Sequence, residues 1–526
     1  MEKGAISAGD PQTAAAGAEI LEQGGNAVDA AVAAAFTSFV AETTLVNISG
    51  GGIALVIDSQ SERDVVFDFF SDMPRGAYTP AADFRQIMID FGPEQQAFQI
   101  GRASVAVPGA VAGLCRMAQV YGTFDLPALL APAIRLAQAG TVMNEAQHYI
   151  YMLLQPIFQA TPGIAAIYAP GDRLYQPGER IPLPALGRTL EELARRGPDY
   201  FYCGELGQAI VSDQQAHGGL VTAADMAAYE VYEHTPIALD YREHTVMLPP
   251  PSSSGGVLVA FALKLMAGQE PAAFAHNGVE HLRLLSEIMR LTNLARADWD
   301  ALTGPVDERI AWFLSDEHLN RYHSRLNDLL AGAPAPVEPS FVPGPEDTTH
   351  ISVVDGAGLL VSITTSAGEN AGYVVGDTGV CLNNMLGEAD LHPQGFHRWP
   401  PGTRLNTMMT PTVVVKDKHP VLAVGSGGSN RIRSAILQVL SNVIDFDLPV
   451  DAAVNAPRIH FEAGLLQAEG GISQAAIDGL RARGYVVNQW PDRNMFFGGA
   501  HAVGFQAGRL VPAGDVRRGG SVALVQ

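Results

Sequence analysis

"PGPEDTTHISVVDGAG", residues 343–358, passes within a few positions from a proline-rich connector to a doubled threonine, a histidine and an alternating apolar run. Pro334, Pro336, Pro339, Pro343 and Pro345 crowd the segment 331–347. Prolines remove backbone donors and disfavour helix and strand alike, so this segment reads as an exposed connector and a boundary. From Thr348 the period becomes two: "THISVV" and "LLVSITTS" flank "DGAG", the pattern of a hairpin closed by an Asp-Gly turn. A threonine at the head of a strand is ordinarily structural. Its hydroxyl becomes a useful nucleophile only with a base beside it. A free α-amino group on the same residue, with a pKa of roughly 8, is such a base. Freeing it requires cleavage of the Asp347–Thr348 bond. The hydroxyl itself can do this by attacking the Asp347 carbonyl, in an N-to-O acyl shift followed by ester hydrolysis. Asp347 and Thr348 are therefore the candidate autocleavage pair.

The rest of the chain bounds the answer. It has 526 residues, 47% of them apolar and 17% charged, with a formal charge of -22. This is a globular composition, and the acidic balance argues against nucleic acid or an anionic membrane surface as partner. Cys115, Cys203 and Cys381 are too few and too scattered for a disulfide framework or a zinc site. No basic-then-apolar leader opens the sequence and no long uninterrupted apolar run follows. The expectation is a soluble cytoplasmic protein, with a periplasmic or secreted setting left open.

Residues 11–42 read as helices broken at Gly24-Gly25, with Asn26 as an N-cap. Strands are expected at 53–58 and 64–70, and helical periodicity dominates 109–155, 186–232 and 257–330. Beyond the connector, further strands are expected at 380–384, 411–416 and 420–425, and in 485–526, with helices at about 430–445 and 473–484. Helices thus prevail before Thr348 and strands after it. Such a distribution suits helices laid on stacked sheets, an α/β layered unit.

The run Thr348-Thr349-His350-Ile351-Ser352-Val353-Val354-Asp355 resembles the signature of the gamma-glutamyltransferase family, self-processing N-terminal-nucleophile hydrolases. "ILEQGGNAVDAAVAAAF" (20–36), "VPGAVAGL" (107–114), "GGLVTAADMAAYE" (218–230), "LPPPSSSGG" (248–256), "LNN" (382–384), "MMTPTVVV" (408–415) and "NAPRIH" (455–460) follow in family order. The resemblance implies a four-layer αββα sandwich. Its large-subunit segment would be 1–347 and its small-subunit segment 348–526, the two remaining associated after cleavage. It implies Thr348 as nucleophile, Ser366 as its hydrogen-bonding neighbour, and Gly427 and Gly428 as oxyanion donors, with Ser429 beside them. A glycine-rich turn opening a helix has amides suited to that task, although such turns are often only structural.

For substrate, the resemblance implies the γ-glutamyl group of glutathione or a related amide, resolved by water or an acceptor amine, with neither metal nor organic cofactor. Glu388, Asn406 and Thr407 fall where the family binds the glutamyl α-amino and α-carboxylate groups. The family's carboxylate-clamping arginine has no counterpart in register, Arg75 and Arg85 being merely nearby, and Met385 replaces a glutamine. Two alternatives follow: the same mechanism on another acyl-amide, as in an acylase or dicarboxylic monoamide hydrolase, or an unprocessed inactive binding protein. His392 and His397, in the loop 387–402, lack the acid partners at helical spacing that a metal site needs.

Overall fold

A computed structural model describes residues 2–58, 63–90, 95–336 and 348–526; the connector's end, Asp347 included, lies outside the described residues. Two antiparallel sheets form the centre. Their strands, numbered in chain order, are β1 (Gly4–Ala8), β2 (Gly51–Asp58), β3 (Val65–Phe69), β4 (Tyr232–His234), β5 (Ile237–Tyr241), β6 (His244–Leu248), β7 (Thr349–Asp355), β8 (Leu359–Ser366), β9 (Thr412–Lys416), β10 (His419–Gly427), β11 (Gly499–Gln506), β12 (Arg509–Ala513) and β13 (Ser521–Val525). The first sheet runs β13-β1-β7-β8-β2-β3-β4 and the second β12-β11-β10-β9-β6-β5. Both sheets combine strands from before and after the connector, interleaved in the first and side by side in the second. Neither segment could complete a sheet alone.

Helices cover the outer faces. α1 (Pro11–Glu22) starts where the Asp10 side chain accepts the Gln12 N–H, and α2 (Ala27–Ala41) where Asn26 and Asp29 form a reciprocal capping box. α2 is buried along its whole length, and its alanines let it lie close against β7 and β8. On the other side α3 (Ser254–Ala267), α4 (Val279–Ala301) and α5 (Arg431–Ile444) cover the second sheet. The layering is α, β, β, α, as expected.

Alternation along β7 and β8 decides what faces what. Ile351, Val353, Val361 and Ile363 join the core under α1 and α2, whereas Val354 and Leu360 join Val413 and Ala423 between the sheets. His350, Ser352, Ser362 and Thr364 share that inter-sheet face. Thr348 and Ser366, in step with them, fall on it too.

One expectation needs correction. Residues 380–384 do not form a sheet strand. Cys381 makes an isolated bridge with Val374, and the chain then turns so that Asn383 can bond Ser49 and Ala106. The stretch 109–155 is mainly helical, as expected, in helices Ala110–Tyr121, Leu126–Ala139 and Glu145–Leu153.

Candidate active site

The hairpin brings the expected catalytic residues together. Thr349 pairs with Thr365 in the β7–β8 ladder, which sets Ser366 across from Thr348 on the inter-sheet face. Thr348 is almost completely buried, at 2% exposure. Ser366 Oγ accepts the Gly368 N–H at 3.0 Å, fixing the turn that leaves β8.

The glycine turn meets the threonine from the second sheet. β10 ends at Gly427, and a side chain there would run into the Thr348 carbonyl oxygen. Only glycine allows this approach. Gly428 follows at φ +116° and Ser429 at φ +53°, turning the chain into α5. Ser426 locks the arrangement, its Oγ donating to Gly427 O at 2.9 Å and accepting from Gly499 N at 3.1 Å. Backbone amides at a strand end that opens a helix suit a developing oxyanion.

One cation beside Thr348 had no sequence signal. Arg518 donates to the Thr348 carbonyl oxygen at 3.4 Å. It is carried on a turn led by Asp515, which pairs with Arg458 at 2.8 Å and Arg517 at 3.0 Å; Arg517 also pairs with Glu469 at 2.5 Å. All four charges are buried, and the two arginines hold Asp515 far below the usual carboxylate range against the opposing effect of burial.

His350 takes no part in a triad. Its Nδ1 lies 2.8 Å from Thr364 Oγ1 and its Nε2 2.9 Å from Ser352 Oγ, and burial, then His501, keeps it neutral well below the ordinary histidine range. It pins the two strands together against Gly425.

The expected substrate-binding residues divide into two groups. Glu388 is buried against Glu369, and burial together with the neighbouring Glu388 raises the Glu369 carboxyl well above its ordinary value. Asn384 donates to Glu369 at 3.2 Å. This acid cluster adjoins Gly368, two residues beyond Ser366. Ser429, Asn406 and Thr407 lie on the other side. Ser429 Oγ donates to Asp390 at 2.9 Å, and Asp390, Asn406 and Thr407 line a cavity of about 460 Å³. Trp299, Trp399, Arg296, Arg309 and Arg398 also line it, as does Asp300, which pairs with Arg296 at 3.7 Å. Arg309 lies 4.4 Å from the Trp299 ring centroid, and Arg398 is exposed with no ion pair among the described residues. Trp299, Arg296, Arg309 and Arg398 were not singled out in the sequence, because α4, the segment after it and the loop 387–402 meet only in the fold.

The arginines nearest the expected clamp are engaged elsewhere. Arg75 pairs with Asp225 at 3.1 Å and Arg85 with Asp83 at 2.8 Å, both about half exposed. His392 bonds Met385 O, and His397 bonds Ala103 O while stacking on Tyr78 at 4.1 Å, so both hold the loop in place.

An αββα sandwich with a threonine heading a central strand defines the N-terminal-nucleophile class. The gamma-glutamyltranspeptidase family model matches residues 13–525, and the chain belongs to that family. An acylase proenzyme, ACY 1 of a Pseudomonas strain (V22), is 33% identical over 99% of this chain and 94% of its own length. The glutathione hydrolase proenzyme of Pseudomonas aeruginosa is 30% identical over 100% of this chain and 95% of the relative. Among solved structures, a cephalosporin acylase from Bacillus halodurans superposes with a TM-score of 0.83 at 26% identity, covering 99% of this chain and 96% of that one. Relatives are thus named both for glutathione hydrolysis and for acylase activity, and several are proenzymes. Among the described residues no helix is long and apolar enough to cross a membrane.

Proposed function

We propose that the protein is an autoprocessed threonine amidohydrolase of the acylase kind, acting on an amide whose acyl half carries a carboxylate. The observation that carries this reading is the arginine- and tryptophan-lined cavity beside Ser429, set against Arg75 and Arg85 being paired on the surface. The cavity is larger than a glutamyl group needs, and it offers cations and apolar surface in one place.

In this reading the Thr348 hydroxyl attacks the Asp347 carbonyl, and the resulting ester is hydrolysed to leave two chains, 1–347 and 348–526. The freed α-amine then takes the hydroxyl proton as Thr348 attacks the substrate carbonyl. The Gly427 and Gly428 amides support the oxyanion, the α-ammonium returns the proton to the leaving amine, and water resolves the acyl-enzyme. Ser366 orients the hydroxyl. The two chains remain associated because both sheets contain strands from each.

Hydrolysis and transfer of the γ-glutamyl group, as in glutathione, is the second reading. The acid cluster of Glu369 and Glu388 favours it, since a carboxylate pair beside Ser366 can take an α-ammonium group. Glutaryl-p-nitroanilide and γ-glutamyl-p-nitroanilide differ only in that amino group. The acylase reading expects the glutaryl compound to have the higher kcat/KM; a tenfold preference for the γ-glutamyl compound would reverse the order of the two.

A further inference from the structure

Glu42 is a buried carboxylate outside the catalytic set. It stands at the C-terminal end of α2, fully enclosed, and joins three segments. Its Oε1 hydrogen-bonds Thr13 Oγ1 of α1 at 2.7 Å, and its Oε2 hydrogen-bonds Thr349 Oγ1 at 2.5 Å. Gly9, at the end of β1, closes the third side. A side chain there would lie 2.8 Å from both Glu42 Oε2 and Thr349 Oγ1. Thr349 is the residue immediately after the proposed nucleophile, and alternation points its side chain to the face opposite that of Thr348. The bond to Glu42 therefore fixes the rotation of β7 about its own axis at the strand's first residue.

We infer that Glu42 is a positioning residue that sets the orientation of Thr348 through Thr349, for autocleavage and for turnover alike. This rests on Thr348 being the nucleophile. A short oxygen–oxygen hydrogen bond in a dry site is electrostatically stronger than the same bond in water. Burial, reinforced by the Asp10 carboxylate, pushes Glu42 up to about 8, while Thr349 and Thr13 oppose the rise. The titratable group facing Glu42 is Asp10, itself raised by burial and held by Gln12 N and Asn144 Nδ2, each at 2.7 Å. Thr13 and Thr349 contribute neutral hydroxyls. At neutral pH the Glu42 carboxyl keeps its proton, so one of the two contacts runs from the carboxyl O–H to a threonine oxygen and the other from a threonine hydroxyl to the carboxyl. Above about pH 8 it becomes an enclosed anion beside Asp10, and the restraint on Thr349 is altered.

The test compares Glu42→Gln, Glu42→Ala, Thr349→Val and Thr349→Ser, each checked for folding by circular dichroism and thermal melting. Autocleavage is followed by intact mass and turnover with glutaryl- and γ-glutamyl-p-nitroanilide from pH 6 to 10. Glutamine mimics the protonated carboxyl, so Glu42→Gln should stay within about threefold of the unaltered chain at pH 7. The ratio of its rate to that of the unaltered chain should rise as pH passes about 8. Thr349→Val keeps the volume but deletes the bond; with Glu42→Ala it should slow cleavage at least tenfold, and Thr349→Ser should restore it. Folded Glu42→Ala and Thr349→Val proteins that cleave at the normal rate would overturn the inference, as would a Glu42→Gln to unaltered ratio that stays flat with pH. Failure of the underlying reading looks different: Thr348→Ala would still be cleaved, or the unaltered chain would stay intact, and the inference would fall with it.

Discussion

Gly427→Ala probes the contact on which the proposed chemistry depends. The added methyl would sit well inside contact distance of the Thr348 carbonyl oxygen, and 3.1 Å from both the Thr348 carbonyl carbon and an Arg518 guanidinium nitrogen. The opposing atom is backbone at the head of β7, and Ser426 ties the end of β10 to Gly499, so no flexible side chain can yield at this contact. Normal spacing returns only if the ends of β7 and β10 part by about 1 Å, a displacement that can cost about 100-fold in rate at a catalytic centre. Overpacking of this kind costs about 1–3 kcal/mol of stability. The variant should therefore fold with a lowered urea midpoint. Its autocleavage and kcat should fall by about two orders of magnitude, and KM should move far less. Intact mass over time, p-nitroaniline release and urea titration measure the three quantities. A folded Gly427→Ala protein that cleaves and turns over within threefold of the parent would refute the placement of Thr348 against this turn.

Ser366→Ala removes the hydroxyl opposite Thr348 and the acceptor for the Gly368 N–H; kcat should drop about tenfold, equivalent to about 1.4 kcal/mol, by stopped-flow or steady-state assay. Arg398→Ala removes an exposed cation of the cavity wall, so kcat/KM for glutaryl-p-nitroanilide should fall at least fivefold while butyryl-p-nitroanilide, which lacks the carboxylate, is unaffected. Glu369→Gln tests the acid cluster through pH. Because the Glu369 carboxyl is raised well above its ordinary value, the native state keeps a proton that the unfolded chain loses near pH 4.5. Its stabilising contribution is complete below that pH and is lost as pH rises through the native value. Urea midpoints between pH 5 and 9 should therefore decline less steeply in Glu369→Gln than in the parent.

The hairpin 348–366 was legible because its two buried faces differ in chemistry, polar groups alternating with Ile351, Val353, Val361 and Ile363. α1 and α2 were legible from their caps and small apolar residues. β1 was not. Gly4–Ala8 is only five buried residues, enclosed on both faces, so it carries no alternation. The segment 380–384 misled because its apolar start resembles a strand, whereas Asn383 and Asn384 spend their side chains on loop partners. Within the site, Thr348, Ser366 and the glycine turn were named as expectations because their local motifs resemble those of the family. Glu42, Arg518 and the arginines of the cavity could not be. Glu42 reads as a helix-end charge until α1, β1 and β7 close over it, and Arg518 depends on an ion cluster assembled from Arg458, Glu469 and Asp515.

Everything proposed for this protein depends on Thr348 becoming an N-terminus. Intact mass spectrometry of the purified chain beside its Thr348→Ala variant tests that most directly. The account predicts two fragments for the parent, ending at Asp347 and beginning at Thr348, and one uncleaved chain for the variant. A parent that remains a single chain, or a variant cut at the same bond, would contradict it.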